Sequence, residues 1–222
     1  MRTAAVIILT LFVASGWAQP LELPAQLPAQ LDAEVHSVVD EMTEIGKSTG
    51  LALVHQYDEI VREPQQELEA ALDQVESRRQ ESPECVAAED EQIASIVDAA
   101  HEDLHSCGIV AAQTSAEIAT DVSAATQQLV YGGYNVASTY NKCQSYKNSV
   151  LKKSCMTKFY VQATFYLVSA RSSVKTIKKS TSERIPAVFV YGNACTHSAS
   201  SQAVLALQEV SSHIDACVSR RR

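Results

Sequence analysis

The sequence predicts an all-α protein, a disulfide-stapled antiparallel helical bundle with an N-terminal helical extension. Apolar residues recur at spacings of three and four in five segments, which is the periodicity of one helix face. The chain of 222 residues has only 7 Gly and 6 Pro. No sustained alternation of apolar and polar residues marks a β-strand. Six cysteines, an even number, favour disulfides if the protein is exported.

The N-terminus is typical of an export signal. Arg2 precedes an apolar run over residues 4–13, and residues 16–18 form a small-x-small cleavage pattern. We expect residues 1–18 to be a signal peptide that is cleaved after Ala18. A membrane span needs about 20 apolar residues, so we predict no transmembrane segment. The mature protein is expected to be secreted and extracellular.

Residues 19–31 repeat a Leu-Pro-Ala-Gln unit and predict an extended, Pro-containing arm. Residues 32–81 predict a charged helical extension that begins at Asp32 and is interrupted at Pro64. Its apolar stripe is coiled-coil-like, so we predict possible self-association through residues 32–81. Gly46 and Gly50 weaken the middle of this stripe.

Residues 82–222 form the predicted six-cysteine bundle. Ser82 and Pro83 are a helix start signal. The helix that they open is predicted to end at Cys107, with Gly108 as the stop.

Three more helices are predicted after that stop. One covers residues 115–141, and the polar residues 142–148 then turn the chain. The next helix ends at Pro186 and residues 192–193, and the last covers residues 198–218. The helix after the turn carries one apolar stripe, which consists of Leu151, Cys155, Phe159, Ala163, Tyr166, Ala170, Val174 and Ile177.

The cysteine spacing predicts the disulfide pairing. Cys85 and Cys107 are 22 residues apart, as are Cys195 and Cys217. Such a separation spans about 33 Å of helix, whereas a disulfide needs Cα atoms within about 7 Å. Two antiparallel helices with these spacings instead predict the nested pairs Cys85 with Cys217, Cys107 with Cys195, and Cys143 with Cys155 across the central turn. The alternative is that the equal spacing is accidental and the termini pair otherwise.

Charge is divided unevenly along the mature chain. Residues 19–130 hold 23 acidic and 4 basic residues, whereas residues 131–222 hold 3 acidic and 13 basic residues. We interpret this as acidic helices that pack beside basic ones; the alternative is binding of an external polyanion. For an exported chain with a net charge of −8 we predict no nucleic-acid partner.

A His-Glu-x-x-His pattern occurs at His101, Glu102 and His105, and this spacing can bind zinc on a helix. Zinc-protease helices keep the interior of the motif uncharged, whereas Asp103 lies inside it here. We interpret the motif as a solvated charged face, with catalytic or adventitious zinc as alternatives. No Gly-x-Ser-x-Gly elbow or phosphate-binding glycine loop occurs. We therefore predict no catalytic residue, no metal and no cofactor, and a protein that is not an enzyme.

Aromatic residues are concentrated between Tyr131 and Tyr191, which hold ten of the eleven in the mature chain. We interpret them as an aromatic core; the alternative is a pocket for a small apolar ligand. A set of nearby lysines is interpreted as a solvated face or as the rim of such a pocket. These are Lys142, Lys147, Lys152, Lys153 and Lys158.

The six cysteines in low-glycine helices, after a signal peptide and a charged helical segment, resemble the insect TsetseEP-domain family over about residues 82–222. The resemblance implies an exported helical protein of gut or another secretory epithelium, with no catalytic residues to transfer. We therefore expect a secreted non-enzymatic interaction or binding protein of the gut lumen or another secreted fluid. Its partner would be an unknown protein or a small apolar ligand. The alternatives are a carrier of that ligand and a zinc hydrolase.

Overall fold

The computed structural model describes residues 28–221, which are helical almost throughout and contain no strand. The predicted signal peptide and residues 19–27 of the predicted arm lie outside this range. Helix α1 already begins at Ala29, within the predicted arm. The α-helices are α1 (Ala29–Tyr57), α2 (Glu63–Ser77), α3 (Pro83–Ala87), α4 (Asp90–Ser145) and α5 (Ser149–Arg221).

Pro64 does not interrupt the first helical segment in the way that the sequence predicts. A π-helical turn, Asp58–Arg62, joins α1 to α2, and the Glu63 N–H donates to the Asp58 carbonyl oxygen. Pro64 then occupies the first turn of α2, where its missing N–H costs least. The chain thus stays helical through the proline, and a short 3₁₀ turn, Arg78–Gln80, follows α2.

The structure divides into two compact units, each built from both halves of the sequence. Within the described range, unit 1 combines the chain up to Leu51 with Ala116–Ile185. Unit 2 combines Ala52–Ser115 with the chain from Pro186 onward. The charged segment 32–81 therefore contributes to both units.

The core of unit 1 is formed by α1, α4 and α5. Two clusters of buried apolar side chains make it up. Their larger members are Val35, Val38, Met42, Ile45, Leu129, Val136, Phe159, Leu167 and Val174.

The core of unit 2 is formed by α2, α3, α4 and α5. Its larger buried members are Leu68, Val75, Val86, Ile93, Leu104, Leu207, Val210 and Ile214. Much of the apolar stripe of residues 32–81 is therefore buried in the cores of the two units. The prediction of self-association rests on this stripe.

Helix α5 runs parallel to the N-terminal helices in each unit. In unit 1, Arg171 pairs with Glu34 and Lys178 with Glu41, and the partners of each pair are 137 residues apart. In unit 2, Asp215 pairs with Arg78 and Arg221 with Glu84, and the partners of each pair are also 137 residues apart. Two pairs with one offset within a unit indicate parallel helices. In unit 1, by contrast, α4 and α5 are antiparallel, because Cys143 bonds Cys155 beside the turn and Asp121 pairs with Arg184 farther from it.

Two predicted helix ends are wrong, because α4 and α5 pass through them. Gly108 lies inside α4, and Pro186 and residues 192–193 lie inside α5. Pro186 is exposed, so water can satisfy the carbonyl that its missing N–H leaves free. Gly192 is buried, and a Cβ there would lie 2.9 Å from the Ile60 side chain. These glycine and proline residues are compatible with helix because packing on other positions outweighs their low propensity.

Candidate interaction surface at the helical hairpin

Three disulfides join the helices in the structure. In unit 2, Cys85 bonds Cys217 and Cys107 bonds Cys195, each with Cα atoms 5.8 Å apart. In unit 1, Cys143 bonds Cys155 with Cα atoms 5.3 Å apart. These are the pairs expected from the spacing. No free cysteine remains in residues 28–221.

The His-Glu-x-x-His motif lies on the solvent side of α4. His101, Glu102 and His105 are all exposed, and only Leu104 between them packs into the core. Across the described part of the chain, no three His, Cys, Asp or Glu side chains are grouped to hold a metal ion.

Two acidic residues downstream of the motif, Glu117 and Asp121, pair with an arginine of α5. Arg184 binds Asp121 at 2.5 Å and Glu117 at 3.5 Å within unit 1. Both acidic residues are thus used in an ion pair between α4 and α5.

The aromatic residues of unit 1 divide into a core and a surface. Phe159 is fully buried, and its ring centroid lies 5.1 Å from that of Tyr140. The Tyr166 hydroxyl donates a 2.8 Å hydrogen bond to the Leu129 carbonyl oxygen. Phe165, by contrast, is 72% exposed. The aromatic-core interpretation therefore describes some of these side chains, and others face solvent.

The turn between α4 and α5 is short and well anchored. Helix α4 ends at Ser145 and α5 begins at Ser149. The Asn148 side chain caps α5, because its Oδ1 accepts the N–H groups of Val150 at 2.9 Å and Leu151 at 3.1 Å. The disulfide between Cys143, two residues before the end of α4, and Cys155, six residues after the start of α5, ties the two helices together. We call residues 142–161 the hairpin end.

The hairpin end carries five lysines and no acidic residue. None of the five lies within 4.0 Å of a carboxylate in the described structure. Four of them are exposed and Lys152 is half-buried. Farther along α5 the basic residues are paired, as Arg171 is with Glu34 and Lys178 with Glu41 at 3.6 Å. The packing of basic beside acidic helices therefore accounts for those pairs and leaves the hairpin lysines uncompensated.

The nearest of these ion pairs is also too distant to neutralise the hairpin end. Residues 122–182 contain no Asp or Glu. Glu34 reaches α5 at Arg171, which lies thirteen residues beyond Lys158 and hence about 20 Å along the helix. Physiological salt screens exposed charges beyond about 8 Å. The five lysines thus form a local positive region on an acidic protein.

Apolar side chains are exposed among these lysines. They are Val150 at 74%, Leu151 at 55%, Val161 at 53%, Tyr160 at 52% and Tyr146 at 37% exposure. Val150 and Leu151 precede Lys152 and Lys153 directly in the first turns of α5. The hairpin end, residues 142–161, therefore combines positive charge with exposed apolar surface.

Comparison with known proteins places the chain in a family. The model of the family described as "Protein of unknown function (DUF725)" matches residues 81–201, more than half of the chain. The chain belongs to the DUF725 family. The DUF725 match includes five of the six cysteines and the whole hairpin end. No curated protein and no solved structure matches the chain.

In this DUF725 protein, the sequence identified the hairpin lysines but misplaced one apolar neighbour. Leu151 is the first member of the predicted apolar stripe, yet it is 55% exposed. Because α4 ends at Ser145, no helix within residues 28–221 extends beside Leu151, and Cys155 is the first stripe residue joined to α4. The sequence did not show where the turn lies relative to the stripe, and this position decides whether Leu151 is buried.

Among residues 28–221, no helix is long and apolar enough to cross a membrane.

Proposed function

We propose that this DUF725 protein is a secreted, non-enzymatic interaction protein that binds an anionic partner through its hairpin end. The observation that carries the proposal is the group of five unpaired lysines among exposed apolar side chains. A face that is merely solvated gains nothing from Val150 and Leu151, because apolar area in contact with water is unfavourable. Both features are accounted for if a partner covers this surface.

The extracellular part of the proposal rests on the signal-like N-terminus and on the disulfides. Three bonds with no free cysteine in the described range suit an oxidising compartment. The resemblance to the TsetseEP-domain family extends the proposal to an insect protein of the gut lumen or another secreted fluid.

The test is retention on a heparin column at physiological salt. The full chain has a net charge of −8, so retention on this polyanion requires a local basic region. We expect the secreted protein to be retained and to elute as salt rises. A variant with Lys142, Lys147, Lys153 and Lys158 changed to Gln should pass through.

A matched control separates local charge from net charge. Lys47, Lys175, Lys178 and Lys179 are also exposed and belong to unit 1. Changing these four to Gln alters the net charge equally and should leave retention unchanged. If both variants lose retention to the same degree, or if the wild-type protein is not retained, the proposed binding surface is wrong.

A further inference from the structure

We infer that the hairpin end docks on the headgroup layer of an anionic phospholipid membrane. This inference rests on the proposed function and names the class of partner. Unpaired lysines lie beside exposed aliphatic and tyrosine side chains at one end of one helical hairpin.

The exposed aliphatic side chains lie next to lysines at the start of α5. Val150 and Leu151 follow the turn directly and are 74% and 55% exposed. Lys147 precedes them, and Lys152 and Lys153 follow them. Aliphatic groups flanked by lysines match a membrane surface, where hydrocarbon lies just beneath a layer of negative phosphates. The lysine stems can follow the apolar groups inward while their charged ends stay at the phosphates.

The tyrosines support the same partner. Tyr146 lies in the turn and is 37% exposed, and Tyr160 lies on α5 and is 52% exposed. Tyrosine is enriched at membrane interfaces because its ring is apolar and its hydroxyl is polar. Lys142 joins this surface because the disulfide of the adjacent Cys143 with Cys155 holds the end of α4 against α5.

A soluble polyanion explains only half of this surface. Heparin or a phosphorylated polymer would pair with the lysines but would leave Val150 and Leu151 in water. An anionic membrane accounts for both sets of groups. The contact would be peripheral, since no helix within residues 28–221 is apolar enough to span a bilayer.

The test is co-sedimentation of the mature secreted protein with lipid vesicles at physiological salt. One set of vesicles is pure phosphatidylcholine, and the other contains phosphatidylserine as about one third of the lipid. We expect binding to the anionic vesicles only. Each lysine near an anionic membrane strengthens binding about fivefold, so changing Lys152 and Lys153 to Gln should weaken binding about 25-fold.

The apolar contribution is tested by a second pair of variants. Changing Val150 and Leu151 to Ser should weaken vesicle binding at least about tenfold while heparin retention stays unchanged. Val168 and Leu205 are both 64% exposed, and changing these two to Ser is the matched control that should bind as wild type does. Because all four side chains face solvent, each variant is expected to fold.

The outcomes separate this inference from the proposed function. Heparin retention without vesicle binding would overturn the membrane inference and leave the proposed function in place. Vesicle binding that is insensitive to the Val150 and Leu151 changes would also overturn the inference, because the lysines alone would then suffice. If the protein binds neither heparin nor the anionic vesicles, both the proposed function and the membrane inference are wrong.

Discussion

The Tyr166 ring lies directly over Gly132. A Cβ at Gly132 would lie 2.5 Å from Cε2 and 2.7 Å from Cδ2 of that ring. The Tyr166 hydroxyl meanwhile donates its hydrogen bond to the Leu129 carbonyl oxygen, three residues earlier on α4. One side chain of α5 is thus held at two adjacent points of α4, and the glycine makes the close approach possible.

We predict that Gly132→Ala destabilises the protein by about 1 to 3 kcal/mol, because the added methyl group must displace a packed ring. Gly50→Ala is the control, since nothing lies within 4 Å of its Cβ position. Alanine favours helix over glycine by about 1 kcal/mol, so Gly50→Ala should stabilise. Urea denaturation measures both changes, and a stabilised Gly132→Ala variant would show that the ring does not occupy this position.

The half-buried Tyr166 hydroxyl predicts a pH dependence. Burial disfavours the phenolate and raises the pKa of Tyr166 to about 12, above the value of about 10 for an exposed tyrosine. The neutral phenol therefore stabilises the fold fully below pH 10. This contribution is lost as pH rises from about 10 to about 12.

Ultraviolet titration should detect this tyrosine as the last to ionise. Tyr166→Phe should remove that step and lower the free energy of unfolding by about 1 kcal/mol at neutral pH, through loss of the hydrogen bond. Tyr131→Phe is the control. Because Tyr131 is 66% exposed, this change should keep the late titration step and the free energy of unfolding as they are in the wild type. A late step that persists in Tyr166→Phe would belong to another tyrosine.

The disulfides should stabilise the protein unequally. The bonds Cys85–Cys217 and Cys107–Cys195 close separations of 132 and 88 residues, whereas Cys143–Cys155 closes 12. Chain-entropy estimates predict losses of about 5 kcal/mol for either long bond and about 3 kcal/mol for the short one when both cysteines become Ala. Denaturation of the three double variants checks the order. A larger loss for Cys143 with Cys155 would contradict it.

The His-Glu-x-x-His motif should not retain zinc. We expect substoichiometric zinc after dialysis, because two exposed imidazoles without a third ligand hold the ion weakly. Changing His101 and His105 to Ala should leave the melting temperature unchanged. Zinc at one equivalent by elemental analysis, lost in this variant, would restore the hydrolase alternative.

Periodicity and cysteine spacing were enough to predict much of the fold. The apolar spacing predicted helix throughout, and equal intervals in Cys85–Cys107 and Cys195–Cys217 predicted which sulfur atoms meet, because helix rise converts residue number into distance. Local stop signals failed at Gly108 and Pro186. Their effect on a helix depends on their surroundings, since Val61 lies 3.6 Å from the Cβ position of Gly108 whereas Pro186 is exposed to water. The sequence does not display these surroundings.

The candidate surface was predictable only in part. Charge composition identified the five lysines, but their lack of acidic partners depends on where α1 meets α5. The exposure of Leu151 depends on α4 ending at Ser145. Both are tertiary facts, so periodicity alone assigned Leu151 to the core.

Lysine labelling of the mature protein, free and bound to anionic vesicles, shows which surface contacts the membrane when the modified sites are read by mass spectrometry. We expect binding to protect Lys142, Lys147, Lys153 and Lys158, while Lys47 and Lys175, which are also exposed, keep their reactivity. Protection of Lys47 and Lys175 with the hairpin lysines still reactive would contradict this expectation.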